Sequence, residues 1–153
     1  MQEFLLTGLL GAGLIVLCGL ITYEALRFLW SRLPGLTMPP RQRVFFVVAC
    51  VFASHIVNIW LFGVTYYVLM KAQLGTMIGT AIERGEYALD LFGCLYFSAT
   101  TYSTVSFGDI TPEGALRMIA GVEGLAGFIL IGWTVSFTYL VMEKFWQLPH
   151  RKK

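Results

Sequence analysis

Three stretches of this chain, residues 4–30, 44–70 and 114–142, are apolar and long enough to cross a bilayer; a fourth, residues 87–102, is apolar but too short. A crossing helix needs about 20 apolar residues, whereas about 16 residues reach only roughly 24 Å as a helix. The short stretch therefore reads as a re-entrant helix that turns back inside the membrane. Composition agrees, since 57% of the residues are hydrophobic and only 13% charged, against about 25% charged in soluble chains. The expected class is an all-α membrane protein with three transmembrane helices and one re-entrant helix. The chain opens Met1-Gln2-Glu3 with no basic residue, and its first apolar run is longer than that of a signal peptide, so that run is read as a retained helix.

Charge gives the chain its sidedness. Eight of the 11 basic residues flank two places: Arg27, Arg32, Arg41 and Arg43 around the first interhelical turn, and Lys144, Arg151, Lys152 and Lys153 at the C-terminus. Basic residues beside membrane spans favour the cytoplasmic side. Leu33-Pro34-Gly35 and Pro39-Pro40 break the helix there into a short basic loop. Two crossings separate loop and tail, which puts both inside only if the short helix returns to the side it entered from. The N-terminus is then outside and the C-terminus cytoplasmic. The acids Glu83, Glu86, Asp90, Asp109 and Glu113 gather in the outer segment, where residues 71–86 read as a water-facing connection. The basic tail is read as a topology signal, and no nucleic-acid partner is expected.

Cys18, Cys50 and Cys94 lie singly inside apolar runs and read as small buried side chains. No clustered His, Cys and Asp ligands, nucleophile–base arrangement or phosphate loop is present, so neither an enzyme nor a cofactor is expected. Within the second span Ser54 and Asn58 share a helix face and His55 lies beside them, read chiefly as interhelix hydrogen bonding with a pH-sensing role as the alternative. Tyr66 and Tyr67 suit an interfacial aromatic belt. Glu123 is an ionisable residue within a span and needs a partner, either Ser or Thr groups of the short helix or Arg117.

The chemistry concentrates in residues 100–112, Thr-Thr-Tyr-Ser-Thr-Val-Ser-Phe-Gly-Asp-Ile-Thr-Pro. Irregular backbone at membrane depth costs several kcal/mol per unpaired group unless it lines a watery path or is buried in protein. Pointing its carbonyl oxygens at cations resolves that cost. A short helix, then T-x-S-T-V-x-F-G-D-x-x-P, then a glycine-bearing helix resembles the pore module of the potassium-channel superfamily, whose TVGYG filter is the reference case of carbonyl-ring selectivity. The close resemblance runs over residues 91–140, with the second span as the outer helix and the first span as an addition to the usual two-helix module.

That resemblance implies a division into residues 1–43 (N-terminal helix and basic loop), 44–145 (pore domain) and 146–153 (basic tail). It implies that carbonyls of Thr104, Val105, Ser106 and Phe107, with the Thr104 hydroxyl, coordinate K+ in a filter closed by Gly108. It places Asp109 at the outer mouth with Tyr96 bracing it and Glu123 behind the filter. The pore lining would come from Phe128, Ile131, Val135 and Tyr139, with Gly127 as a hinge; close helix packing is the alternative for Gly127 and the reading for Gly121 and Gly124. One filter strand cannot encircle an ion, so a homotetramer among membrane lipids is implied, with K+ as the permeant ion.

Two residues depart from the family pattern. Phe107 stands where tyrosine is commoner, and Ser106 where glycine is usual. A side chain in a left-handed conformation costs about 1–2 kcal/mol, so Ser106 either strains the filter or reshapes it. Selective potassium conduction, weakly selective K+/Na+ conduction and a non-conducting pore-fold subunit all stay open. No arginine-periodic voltage sensor and no regulatory domain after the third span are expected.

Overall fold

The computed structural model describes residues 2–146. Three long helices dominate it: α1 (Gln2–Arg32), α2 (Pro40–Lys71) and α5 (Leu116–Trp146). Each is long and apolar enough to cross a membrane. Between α2 and α5 lie β1 (Met77–Ile78), the single turn α3 (Thr80–Glu83), α4 (Leu91–Tyr102) and β2 (Thr111–Pro112).

α2 begins earlier than its sequence suggests. Pro40 occupies the first turn, where its missing N–H leaves no bond unmade, so it starts the helix rather than breaking the chain. Arg41 and Arg43 therefore belong to α2, and only residues 36–39 form the loop after a 3-10 turn at Leu33–Gly35. Arg43 ties this corner together by donating to the carbonyls of Leu36 and Met38 at 2.6 and 2.9 Å.

The order of side-chain meetings sets the helix directions. Gly11 of α1 faces Ile119 and Val122, Tyr23 stacks on Trp133 at 6.4 Å, and Trp30 meets Phe137 edge-on at 6.1 Å. α1 and α5 thus run side by side in the same direction, with α2 returning between them. At the far end Leu26, Leu29, Leu33, Val44, Val47, Val51 and Val141 close a small core. Lys144 lies over the Trp30 ring at 4.3 Å and Arg43 over Phe145 at 5.2 Å. The end of α5 and the α1–α2 turn therefore share one end of the molecule. Arg151, Lys152 and Lys153 lie outside the described residues.

α4 has 12 residues and so spans roughly 18 Å, too little to cross. Asp90 caps its start, accepting from the Gly93 N–H at 2.9 Å. Two glycines on the flanking helices let α4 wedge in. A Cβ on Gly63 of α2 would come within 2.6 Å of Leu95, and one on Gly127 of α5 would overlap the backbone carbonyl of Tyr102. Close approach through glycine is a common packing device between membrane helices. Gly121 meets nothing within 4 Å and Gly124 only Thr101 O at 3.8 Å. Within the chain, close packing is made at Gly127, one of the two readings the sequence gives that residue.

The outer segment is more than a solvated connection, because Met77 and Ala81 are buried in it. β1 pairs antiparallel with β2, Met77 opposite Pro112 and Ile78 opposite Thr111. Glu113 N–H extends the ladder to Thr76 O at 2.8 Å. Among the described residues this short ladder is the one departure from all-helical secondary structure.

Candidate functional site

α4 ends at Tyr102, and the chain leaves it as a loop whose first amides turn back. Thr104 N–H reaches Thr101 O at 3.0 Å, while Val105 and Ser106 N–H reach Thr100 O at 3.0 and 3.3 Å. Among the described residues no hydrogen bond ends on the carbonyl oxygens of Thr104, Val105, Ser106 or Phe107, nor on the Thr104 hydroxyl. All of residues 103–108 are exposed, with Phe107 at 69%.

The backbone of this loop alternates. Thr104, Ser106 and Gly108 have φ of 60°, 39° and 74°, and the residues between them do not. Only glycine takes that conformation freely; a threonine and a serine held in it store about 1–3 kcal/mol each. Strain kept in an otherwise well-braced loop points to use.

The bracing comes from three sides. Beyond the loop Tyr96 of α4 donates to Asp109 at 2.6 Å, and Ile110 N–H reaches the same carboxylate at 3.0 Å. That bond to Asp109 pushes the Tyr96 phenol up to about 12. Tyr87 stacks on Tyr96 with ring centres 4.3 Å apart. The outer segment grips the main chain, Ala81 N–H meeting Asp109 O at 3.3 Å, and Gly79 lies so close that any Cβ there would overlap that carbonyl.

Behind α4, Glu123 is fully buried and accepts from Ser98 of α4 and Tyr66 of α2, both at 2.5 Å. Ser98 is one of the partners the sequence proposes for it. Arg117, the alternative partner the sequence offers, does not meet Glu123 and donates instead to Pro112 O at 3.2 Å. Tyr66 is fully buried and thus no interfacial anchor, because its hydroxyl goes to this carboxylate and its ring packs on Phe97. Tyr67 is half-buried, with Lys71 over its ring.

His55 and Asn58 converge on the end of α4. His55 meets the Tyr102 hydroxyl and Thr134 Oγ1, each at 2.9 Å, and Asn58 Nδ2 donates to Thr22 Oγ1 and the Tyr102 hydroxyl, each at 3.1 Å. Sequence reasoning passed over Thr22, Tyr102 and Thr134. A polar-tipped ring at the end of α4 was the available signal at Tyr102, since buried tyrosine hydroxyls find partners.

On α5 Phe128, Val135 and Tyr139 are exposed along one face. Ile131 is partly buried and, with Val135 and Tyr139, lines a groove of about 600 Å³ between α2 and α5.

A short helix and a strained polar loop set between two membrane-crossing helices define a pore-loop membrane protein. A family model described as "Ion channel" matches residues 54–144, more than half of the chain. The chain belongs to that family, the two-helix pore domain of the potassium-channel superfamily, and carries an N-terminal apolar helix besides it. No curated protein and no solved structure matches the chain.

Proposed function

We propose that the protein is a homotetrameric channel that passes K+ through a filter formed by residues 104–108, its N-terminus outside and its C-terminus cytoplasmic. One observation carries this reading: Thr104, Ser106 and Gly108 alternate in handedness with Val105 and Phe107 while the carbonyls of Thr104 to Phe107 keep no partner. Alternating handedness turns successive peptide planes so that their oxygens can face one side. Repeated around an axis, such oxygens replace the hydration shell of a cation at several stacked levels, close enough for ions to displace one another onward.

The rest of the site serves that ring. The C-terminal end of α4 carries the negative end of its dipole, favouring a cation in front of it. Asp109, fixed by Tyr96, adds negative charge at the outer mouth. Exposed Phe128, Val135 and Tyr139 supply an apolar lining below the filter.

Ser106 favours a second, weaker-selecting form of the same function. At φ 39° it bears a side chain where the family commonly has glycine, and a reshaped level would discriminate less between K+ and Na+. Bilayer recording of the purified protein under K+/Na+ bi-ionic conditions separates the two. A reversal potential displaced toward the K+ equilibrium value is expected; equal permeability would overturn the selective reading and leave the channel reading standing.

A further inference from the structure

The five polar side chains that meet behind the filter, Thr22, Asn58, Tyr102, His55 and Thr134, come from four different helices: α1, α2, α4, α2 and α5. Thr22, Asn58, Tyr102 and Thr134 are each at most 2% exposed. Their donors and acceptors can be ordered from one end. Thr134 has one hydroxyl proton and gives it to Ile131 O at 3.0 Å, so towards His55 it can only accept. The His55 Nε2 must then carry the proton, which leaves Nδ1 as an acceptor. Nδ1 takes the Tyr102 O–H, and the Tyr102 oxygen in turn accepts from Asn58 Nδ2, whose second proton goes to Thr22. Every bond in the cluster is kept by that order.

We infer that Tyr102 is a positioning residue for the filter, held in place by this chain of hydrogen bonds, and that the chain makes the N-terminal helix α1 a working part of the pore. Tyr102 suits the role by location. It is the last residue of α4, two positions before Thr104, and its own carbonyl rests on Gly127 of the pore-lining helix. Fixing both its hydroxyl and its carbonyl sets where α4 ends and therefore where the first carbonyl of the loop begins. Thr22 is the point at which α1 joins. Through Asn58 it bears on the filter without touching it, which gives the helix outside the two-helix module a task beyond anchoring. The Asn58 amide oxygen is buried with no partner among the described residues, so the network is held through the two Nδ2 protons, and those bonds favour the one arrangement that keeps them all. The inference rests on the reading of residues 104–108 as the filter.

The test uses the full chain reconstituted in liposomes, with Thr22→Val, Thr22→Ser, Tyr102→Phe and the double variant T22V/Y102F. Valine keeps the shape of threonine and removes the hydroxyl; serine restores it. T22V and Y102F should each lower the K+/Na+ permeability ratio at least threefold, T22S should match the unsubstituted protein, and the double variant should be no worse than Y102F alone because both break one chain. Assembled protein in which T22V and Y102F leave the ratio unchanged would overturn the inference, as would T22S behaving like T22V. The His55 ring gives a readout independent of conduction: its ¹⁵N spectrum should report Nε2–H with Nδ1 accepting, with the Nδ1 signal moving in T22V but not in T22S. A ring protonated at Nδ1 alone would overturn the inference. If the unsubstituted protein passes no cation, the reading of the filter fails instead, and the ¹⁵N spectrum alone decides whether Tyr102 is held in this way.

Discussion

Ser106 is the residue at which sequence and geometry press hardest on each other. Its φ of 39° puts a Cβ into a conformation that costs about 1–2 kcal/mol relative to glycine. Ser106→Gly is therefore expected to raise the thermal stability of the assembled protein, worth about 1 kcal/mol, and to increase the K+/Na+ permeability ratio; a melting curve and a bi-ionic recording check both halves. Tyr96 gives a second residue-scale expectation. Its phenol, raised to about 12 from the ordinary 10.0 by the bond to Asp109, stays a donor at every pH below about 10 and loses the proton only as pH rises towards 12. The brace on Asp109 is thus present through the neutral range and fails in strong alkali. Cation flux should hold steady from pH 7 to about 10, whereas Tyr96→Phe, lacking the donor, should lose filter stability already at pH 7, read as flux that decays during recording. The Tyr96–Asp109 pairing was legible only through the family resemblance, which brings both residues to one place. Glu123 was legible as a residue needing a partner, but Tyr66, which lies 57 positions away in the chain, was not, since nothing local in an apolar helix tells a belt tyrosine from a buried donor.

At the scale of elements, length and polarity carried most of the information. Three spans and one short helix follow from comparing run lengths with membrane thickness, and the structure differs only at the ends. The start of α2 moves to Pro40 because a proline that breaks a helix interior can open one. The segment between α2 and α4 was the poorest reading: a two-residue ladder has no periodicity to detect, and its partner strand comes only after residues 104–108. Glycine-rich α5 was read as a packing helix with a hinge, yet which glycine packs depends on where α4 ends, a tertiary fact. That fact makes a prediction. Gly127→Val forces a side chain into the Tyr102 carbonyl and should destabilise the protein by about 1–3 kcal/mol, as overpacking does. Gly8, which has nothing within 4 Å, should accept alanine with no loss, and helix propensity favours that change by about 1 kcal/mol. Thermal unfolding in detergent compares the two.

For the whole molecule, α1 and α5 run in one direction, α2 runs in the other and α4 returns, so the α1–α2 turn and the end of α5 lie together. The proposed orientation puts that end in the cytoplasm, as the positive-inside rule expects. Single cysteines test the assignment in a background freed of Cys18, Cys50 and Cys94. A membrane-impermeant thiol reagent should reach Gly85→Cys only from outside and Met38→Cys only from inside; labelling from the same side would break the topology. The central claim concerns conduction itself, and cation flux into liposomes bearing the purified, assembled protein tests it most directly. The account predicts potassium uptake driven by the imposed gradient, while a folded tetramer that passes no cation would contradict it.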